Sequence, residues 1–495
     1  MLRKHSQALA YLLFTAIYNR YLHPLSKYPG PVLASISRLP QLTAYVKGRS
    51  HLHVKALHDR YGNVVRIAPD ELSFREGDAW KDIYGNRPQR KANFLKDMRF
   101  YNKSKSGIPN LAVAPTEEIH QRQRRVIGRA FSDAALKDQE ILLQSYVRLL
   151  LEKLDEKVLT TSNSAAILNI VEWYHYVTFD FMTEFIFGES FGCLQDSEYH
   201  PWVGVIVDTI KAWPIISATK YLSIFAPVAQ LVAFLFYRDV LRRREESFKL
   251  GLAKLRKRLS QGEHNRNDFI SYIHSGVAQK SSQMSLIPAE LDSNASFLVL
   301  AGSETTSTFL CGCTFQLLRN RDAYTKLTHQ LRDTFSDISD ITFASLSKLP
   351  YLDAVIKESF RMHPSAPLGM PRRVPAGNAT ICGNFVPEGV RIFTFLILIV
   401  KSCSSASTHR YRLLYHIGQR IARLTTSLIR ISSSRSAGSQ KEMKNTPTIK
   451  EMLSSHTPLA LEIVLVKGRY PDSQLLILLL LGRKIKIKTL IHCSI

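Results

Sequence analysis

The chain has little that would let it cross a bilayer as a helix, which takes about 20 consecutive apolar residues. The candidates "ALAYLLFTAIY" (8–18) and "LLILLLL" (475–481) both stop short. Cysteine is scarce: six in 495 residues, at 193, 311, 313, 382, 403 and 493, with no CxxC pair. That spacing excludes a zinc framework and a disulfide scaffold and fits a reducing compartment. Acidic residues are outnumbered, 41 Asp and Glu against 66 Lys and Arg, for a net charge of +25. A surplus of that size points to an anionic partner: nucleic acid, a membrane surface or an acidic redox protein. It is unevenly spread, however. From Val390 onward 17 Lys and Arg face 4 Asp and Glu, so about half of the surplus lies in the last fifth of the chain. No recognised nucleic-acid motif accompanies it, and no nucleic-acid partner is expected.

What is present is ordinary for a large folded protein: 45% hydrophobic residues, 22% charged, 24 Phe and 20 Tyr. Residues 1–27 are expected to be the remnant of a membrane anchor, because the apolar stretch ends at Arg20 without a small-residue cleavage site. "YPGP" (28–31) is a stiff hinge, with Pro29 and Pro31 fixing φ and Gly30 allowing a tight bend. "NVVRIAPDELSF" (63–74) reads as two strands around a Pro-Asp turn. Residues 139–259 are mostly helical in pattern, and 168–192 read as one long buried helix. Further helices are expected at 266–273, 287–320 and 346–364, and a short hairpin at 372–390. The fold class is mainly α with a minor β part.

Three stretches carry chemistry. In "FLVLAGSETTST" (297–308) Glu304 and several Thr sit mid-helix after an apolar run. Thr305 is placed to bond back to the carbonyl four residues earlier and loosen the helix. Ala301 and Gly302 leave room for something to lie against the backbone. In "ESFR" Glu358 and Arg361 share a helix face and can pair. Their apolar flanks, "LDAVIKESFRMHP", suggest a buried pair. In "HQRQRRVIGRAFS" (120–132) His120 and Arg124 lie on one face, while Arg122 and Arg125 read as a solvated basic face.

In this order, the pieces resemble a cytochrome P-450 of fungal type, a haem-thiolate monooxygenase. "YPGP" matches the family's hinge, "HQRQRRVIGRAFS" its helix C, "AGSETTS" the oxygen-binding notch of helix I, and "ESFRMHP" the ExxR helix K. "PRRVP" and "GNFVPEG" match the strands that follow, and "FDFMTEFIFGESFG" is similar to helix E of fungal members. The resemblance covers roughly residues 17–389 and implies a domain over 28–389. It implies that Glu304 and Thr305 relay protons for dioxygen cleavage, and that Ala301 and Gly302 give oxygen and substrate room. It implies that Glu358 and Arg361 brace the core, and that His120, Arg124 and Arg373 contact the propionates of haem b. His120 stands where many members have Trp. It further implies an NADPH–flavin reductase as partner, an apolar small-molecule substrate, and a place in secondary metabolism. The expected location is the endoplasmic reticulum membrane, on its cytosolic face. A cationic face suits an acidic reductase.

One part of the pattern is missing. The family holds its iron through a Cys in an F-x-x-G-x-R-x-C-x-G loop, whose thiolate favours O–O cleavage. No such loop exists, and the metal-ligand set is empty. Cys403 comes too soon after the ExxR helix, and Cys493 is three residues from the end. The "PERW" stretch that completes the brace is also absent. Residues 390–495 therefore read as an aberrant tail.

The genetic code suggests why. Taking each third base with the next codon's first two, "EMLSSHTPLALEIVLVKG" (451–468) can encode "DAFKPYSFGPRNCLGK". The cysteine codon is split across Ile463 and Val464. In the same frame "TTSLIRISSSRSAGS" (425–439) can encode a "PERW" motif, and from Arg412 on "TVVSxWAA" becomes possible. A retained intron fits: Val390 can supply its GT start and Tyr411–Arg412 its pyrimidine-AG end. The expectation is a membrane-anchored haem monooxygenase whose translated form here is inactive for want of a thiolate. The alternative is a non-catalytic small-molecule-binding or membrane-surface protein.

Overall fold

The computed structural model of the chain describes residues 2–394, apart from 86–92, 102–106, 161–164, 222–225, 262–266, 278–285, 338–339 and 368, together with the strand 462–466. The stretches 425–439 and 475–481, and Cys403 and Cys493, lie outside the described residues.

The helices that build the site, numbered along the chain, are α1 (Leu2–Ile17), α2 (Glu117–Ile127), α3 (Glu140–Leu159), α4 (Ile170–Phe187), α5 (Pro201–Tyr221), α6 (Ala226–Ser260), α7 (Pro288–Arg319) and α8 (Pro350–Met362). Their ends follow local chemistry. Thr116 caps α2 by accepting from Ile119 N, with Glu117 and Glu118 in the first turn and Arg124 and Arg125 in the last. That charge order complements the helix dipole. Asn169 caps α4, and Gly188, at φ +75°, ends it in the left-handed region. The expected helix at 168–192 is thus shorter at both ends. The expected helix at 346–364 is two, Phe343–Ser347 and α8, because Pro350 starts a new first turn. α7 begins at Pro288, with Glu290 accepting from Ile287 N at 3.2 Å. At 32 residues it is about 48 Å long.

Nine strands complete the described fold: β1 (Val64–Ala68), β2 (Glu71–Phe74), β3 (Leu95–Lys96), β4 (Ala165–Asn169), β5 (Arg372–Arg373), β6 (Ala379–Ile381), β7 (Asn384–Val386), β8 (Arg391–Thr394) and β9 (Glu462–Val466). One sheet has the order β1-β2-β8-β5-β3. β1 and β2 pair antiparallel, as the Pro-Asp turn predicted, and β8 runs parallel to β2 with Arg391 opposite Glu71. β6 and β7 form the expected hairpin around Cys382 and Gly383, both at positive φ. β4 pairs antiparallel with β9. Strands β8 and β9 both fall in the span expected to be tail.

The main core lies among the helices. Phe131, Tyr174, Phe185 and Phe269 are fully or almost fully buried there beside Leu298, Phe309 and Leu352. α4 and α7 pack against each other in its centre. A second cluster, with Leu72, Phe74, Val386 and Ile392, joins the sheet to the hairpin. The hinge does more than bend. Pro29 O accepts from Arg66 N at 2.8 Å, and a Cβ on Gly30 would sit 2.3 Å from Arg66 O. Glycine is needed there for close approach to β1 rather than for its turn.

Arg391 is buried at the start of β8, the sheet's central strand. It donates to Asp97 Oδ2 at 2.9 Å, with Asp70 and Glu71 also in reach, and Arg38 shares those last two carboxylates, so the buried cation sits in a network of both signs. Among the described residues, no helix is long and apolar enough to cross a membrane. α1 nevertheless exposes Leu9, Tyr11, Leu12, Leu13 and Phe14.

Candidate active site

The middle of α7 is a notch of back-bonded hydroxyls. Thr305 Oγ1 donates to Ala301 O at 2.7 Å, as the sequence predicted. Ser303 Oγ donates to Val299 O at 2.7 Å and Ser307 Oγ to Glu304 O at 3.0 Å. Such bonds compete with the helix's own ladder and loosen it. The Thr305 carbonyl accepts from Ser365 Oγ at 2.7 Å, which ties the notch to the segment after α8. A Cβ on Gly302 would lie 2.5 Å from Met182 Sδ, so the bare surface of that glycine is covered by α4. Glu304 also leans toward α4, with Oε2 3.2 Å from His175 Nε2.

A second site gathers cations. α2, β3 and β5 bring His120, Arg124, Lys96 and Arg372 together. His120 is pushed down to about 3, by burial first and then by the charges of Lys96, Arg124 and Arg372. Its buried Nε2 has no hydrogen-bond partner among the described residues. Lys96 is pushed down to about 7 by burial and Arg372, with Glu117 opposing. Its Nζ donates to Leu111 O at 2.8 Å. Arg372 donates to Tyr101 OH at 3.3 Å and lies 5.5 Å over the Tyr84 ring. Cations that depress one another beside an orphaned imidazole nitrogen form a socket for an anion. Arg372, not Arg373, reaches this socket; Arg373 is exposed on the strand's other face. Alternation along β5 lets only one of the two arginines face inward, but their order alone does not say which. Lys96 gave no signal in the sequence.

Two expectations about charged pairs are corrected. Glu358 and Arg361 do pair, with Arg361 Nε donating to Glu358 Oε2 at 2.7 Å. Yet the Glu358 side chain is 54% exposed. The apolar flanks bury a different stripe of α8, formed by Leu352, Val355 and Ser359. Arg122, read as solvated, donates from both terminal nitrogens to Glu290 of α7 at 2.8 and 2.6 Å, and Gln123 adds a third bond at 3.1 Å. Arg125 is exposed as expected.

The described cysteines are not poised as thiolates. Burial pushes the thiols of Cys193, Cys311 and Cys382 up to about 12, with neighbouring carboxylates adding to it. Cys313 accepts a hydrogen bond from Ser359 Oγ at 3.1 Å. Among the described residues no cluster of three His, Cys, Asp or Glu could hold a metal ion. A cavity of about 50 Å³ lies among Leu42, Tyr45, Phe100, Tyr221, Pro371 and Phe393, at the sheet's edge.

The sequence model of the cytochrome P450 family matches residues 26–403. The chain belongs to the cytochrome P450 family. It is similar to cytochrome P450 monooxygenase astJ of Aspergillus oryzae, 38% identical over 384 residues that make up 78% of this chain and 74% of that protein. Averantin hydroxylase of Dothistroma septosporum is 38% identical over 403 residues, 81% of this chain and 73% of that protein. Versicolorin B desaturase stcL of Emericella nidulans is 37% identical over 385 residues, 78% and 75% of the two chains. The chemistry of cytochromes P450 is haem-dependent monooxygenation, with a redox partner reductase and a small-molecule substrate.

The residues fit one half of that cofactor. The socket of Lys96, His120, Arg124 and Arg372, with its orphaned Nε2, suits the two carboxylates of a haem. Among the described residues the iron's thiolate ligand has no counterpart: burial holds the thiols of Cys193, Cys311 and Cys382 high, and Cys313 is bonded to Ser359.

Proposed function

We propose that this is a fungal-type haem monooxygenase of secondary metabolism whose translated form here lacks the iron-binding cysteine loop and is therefore inactive. The α7 notch supports the first half: Thr305 bonded to Ala301 O, with Glu304 beside it, is the arrangement that the resemblance calls for. When held by a thiolate, haem supplies dioxygen activation. The chain's own residues do the rest. Ala301 keeps the helix surface low, and Gly302 lets α4 pack close behind it. The Thr305 hydroxyl donates to Ala301 O, which leaves its oxygen open to accept. Glu304 brings an exchangeable proton one residue away. His120, Arg124 and Arg372 hold the propionates, with Arg372 in the part that the resemblance gave to Arg373, and Lys96 joins them. Glu358 and Arg361 brace the core once a further partner covers them.

In this reading residues 28–389 are the monooxygenase domain, 390–495 are the out-of-frame product of a retained intron, and 1–27 are an anchor. The exposed apolar face of α1 supports attachment to the endoplasmic reticulum membrane, with the domain on the cytosolic side. Electrons then come from an NADPH–flavin reductase, and the substrate is an apolar small molecule. The names of the relatives, a hydroxylase and a desaturase among them, support that substrate class.

Sequencing the transcript across the codons for Val390–Arg412 tests the reading. A spliced message is expected that joins "FVPEG" to "TVVSxWAA" and restores the cysteine. A single message encoding the tail, with no spliced form, contradicts it.

A further inference from the structure

The contacts of Glu304 continue beyond the notch. Across the α4–α7 seam, its Oε2 stands 3.2 Å from Nε2 of His175, whose side chain is 14% exposed. That nitrogen is buried and has no aligned hydrogen-bond partner among the described residues. The other ring nitrogen, Nδ1, is 3.4 Å from the Tyr199 hydroxyl. Tyr199 is 39% exposed and reaches solvent. Three groups thus run in sequence from Glu304, whose side chain is 26% exposed, through the more buried His175 to Tyr199 at the surface.

The surrounding groups do not compete. Glu304 and Cys311 of α7 and Glu172 and Tyr176 of α4 all face Tyr199. Burial and these neighbours hold the phenol above its usual range, so it stays a neutral donor. The Cys311 thiol, pushed up to about 12 by burial and by Glu304, stays protonated and is no rival base.

We propose that His175 is a positioning and proton-supply residue for Glu304, with Tyr199 linking it to solvent. This rests on the monooxygenase reading above, in which Glu304 passes a proton inward. The Nε2–H proton moves to the Glu304 carboxylate while Nδ1 takes the proton of the Tyr199 hydroxyl. The phenolate oxygen then takes a proton from water, leaving hydroxide in solvent. No electrons move, and a turn or exchange of the ring restores the starting tautomer. The scheme requires a resting imidazole with its hydrogen on Nε2, donating to Glu304 and accepting from Tyr199 at Nδ1. A ring that merely fills the seam keeps only the free side chain's modest preference for Nε2–H and does not lose it when Glu304 or Tyr199 is replaced.

Ring-¹⁵N-labelled histidine in the full chain reads this directly. The His175 signals, assigned by their loss in His175→Gln, are expected to report the Nε2–H tautomer in the unmodified protein. The preference is expected to be lost in Glu304→Leu and weakened in Tyr199→Phe. An Nδ1–H ring or a rapidly averaging one in the unmodified protein overturns the proposal. So does an Nε2–H population that is the same in the unmodified protein and with both substitutions together. No haem is needed for the measurement, so its failure leaves the monooxygenase reading standing, and a failure of haem binding leaves the tautomer result standing.

Discussion

Arg122–Glu290 and Arg361–Glu358 are both arginine–carboxylate forks, yet their surroundings are opposite. The Glu290 side chain is 5% exposed, locked between α2 and α7, and Glu358 is 54% exposed on the outside of α8. Burial pushes the Glu290 carboxyl up, but hydrogen bonds from Arg122 and Gln123 outweigh it and hold it below its usual range. The difference marks which half of the molecule is finished. Around α2, β3 and β5 every wall of the cationic socket comes from residues before Val390. The ExxR pair waits on a cover that, in the shifted frame, falls after it.

Breaking the buried pair is expected to have the largest effect. Arg122→Leu leaves Glu290 with Gln123 and the Ile287 amide but no cation, and should cost about 3 kcal/mol, read as a lower urea midpoint. A cost near zero would show that the pair is solvated after all.

The socket comes next. Removing one charge-assisted hydrogen bond is worth about 2 kcal/mol. Arg372→Gln should therefore weaken binding of iron-free protoporphyrin about 30-fold, measured by fluorescence quenching. Arg373→Gln should leave it nearly unchanged. The reverse ranking would return the role to Arg373.

A pH dependence follows from the same cations. Lys96 and His120 have folded pKa values of about 7 and about 3, below their ordinary 10.5 and 6.5. The unfolded chain therefore binds more protons, and stability rises with pH through both windows. Lys96→Met should flatten the rise between pH 7 and 10, seen in urea midpoints, and narrow the acid window, because the Lys96 charge is one cause of the lowered His120 pKa. An unchanged slope would place the Lys96 ammonium in water.

Glu358→Ala should do least. In this chain it should cost under about 1 kcal/mol, as exposed pairs do. The same substitution in a frame-restored chain should abolish haem retention, which sharpens the contrast between the two forks.

Much of the helical frame was legible. Pro288 and Asn320 bracket α7, and the Thr305 back-bond follows from placing a Thr mid-helix. The β1–β2 turn and the β6–β7 hairpin follow from Pro-Asp and Cys-Gly. Pairings between distant segments were not legible. Nothing local tells that Arg122 meets Glu290, that His175 meets Glu304, or that Lys96 joins His120, because these contacts depend on how α2, α4 and β3 dock. The ExxR flanks misled for a related reason: apolar neighbours bury their own stripe of a helix, not every residue between them. The cysteine loop is not in the translated chain, and only the proposed frame shift, read from codons compatible with residues 451–468, points to one.

The most direct test is the reduced, carbon monoxide-bound spectrum of the purified chain after haem addition, beside a frame-restored chain lacking the residues encoded by the Val390–Arg412 span. The restored chain should give the red-shifted Soret band of a thiolate-bound haem, and the chain described here should not. The same thiolate band from the unrestored chain would contradict the account.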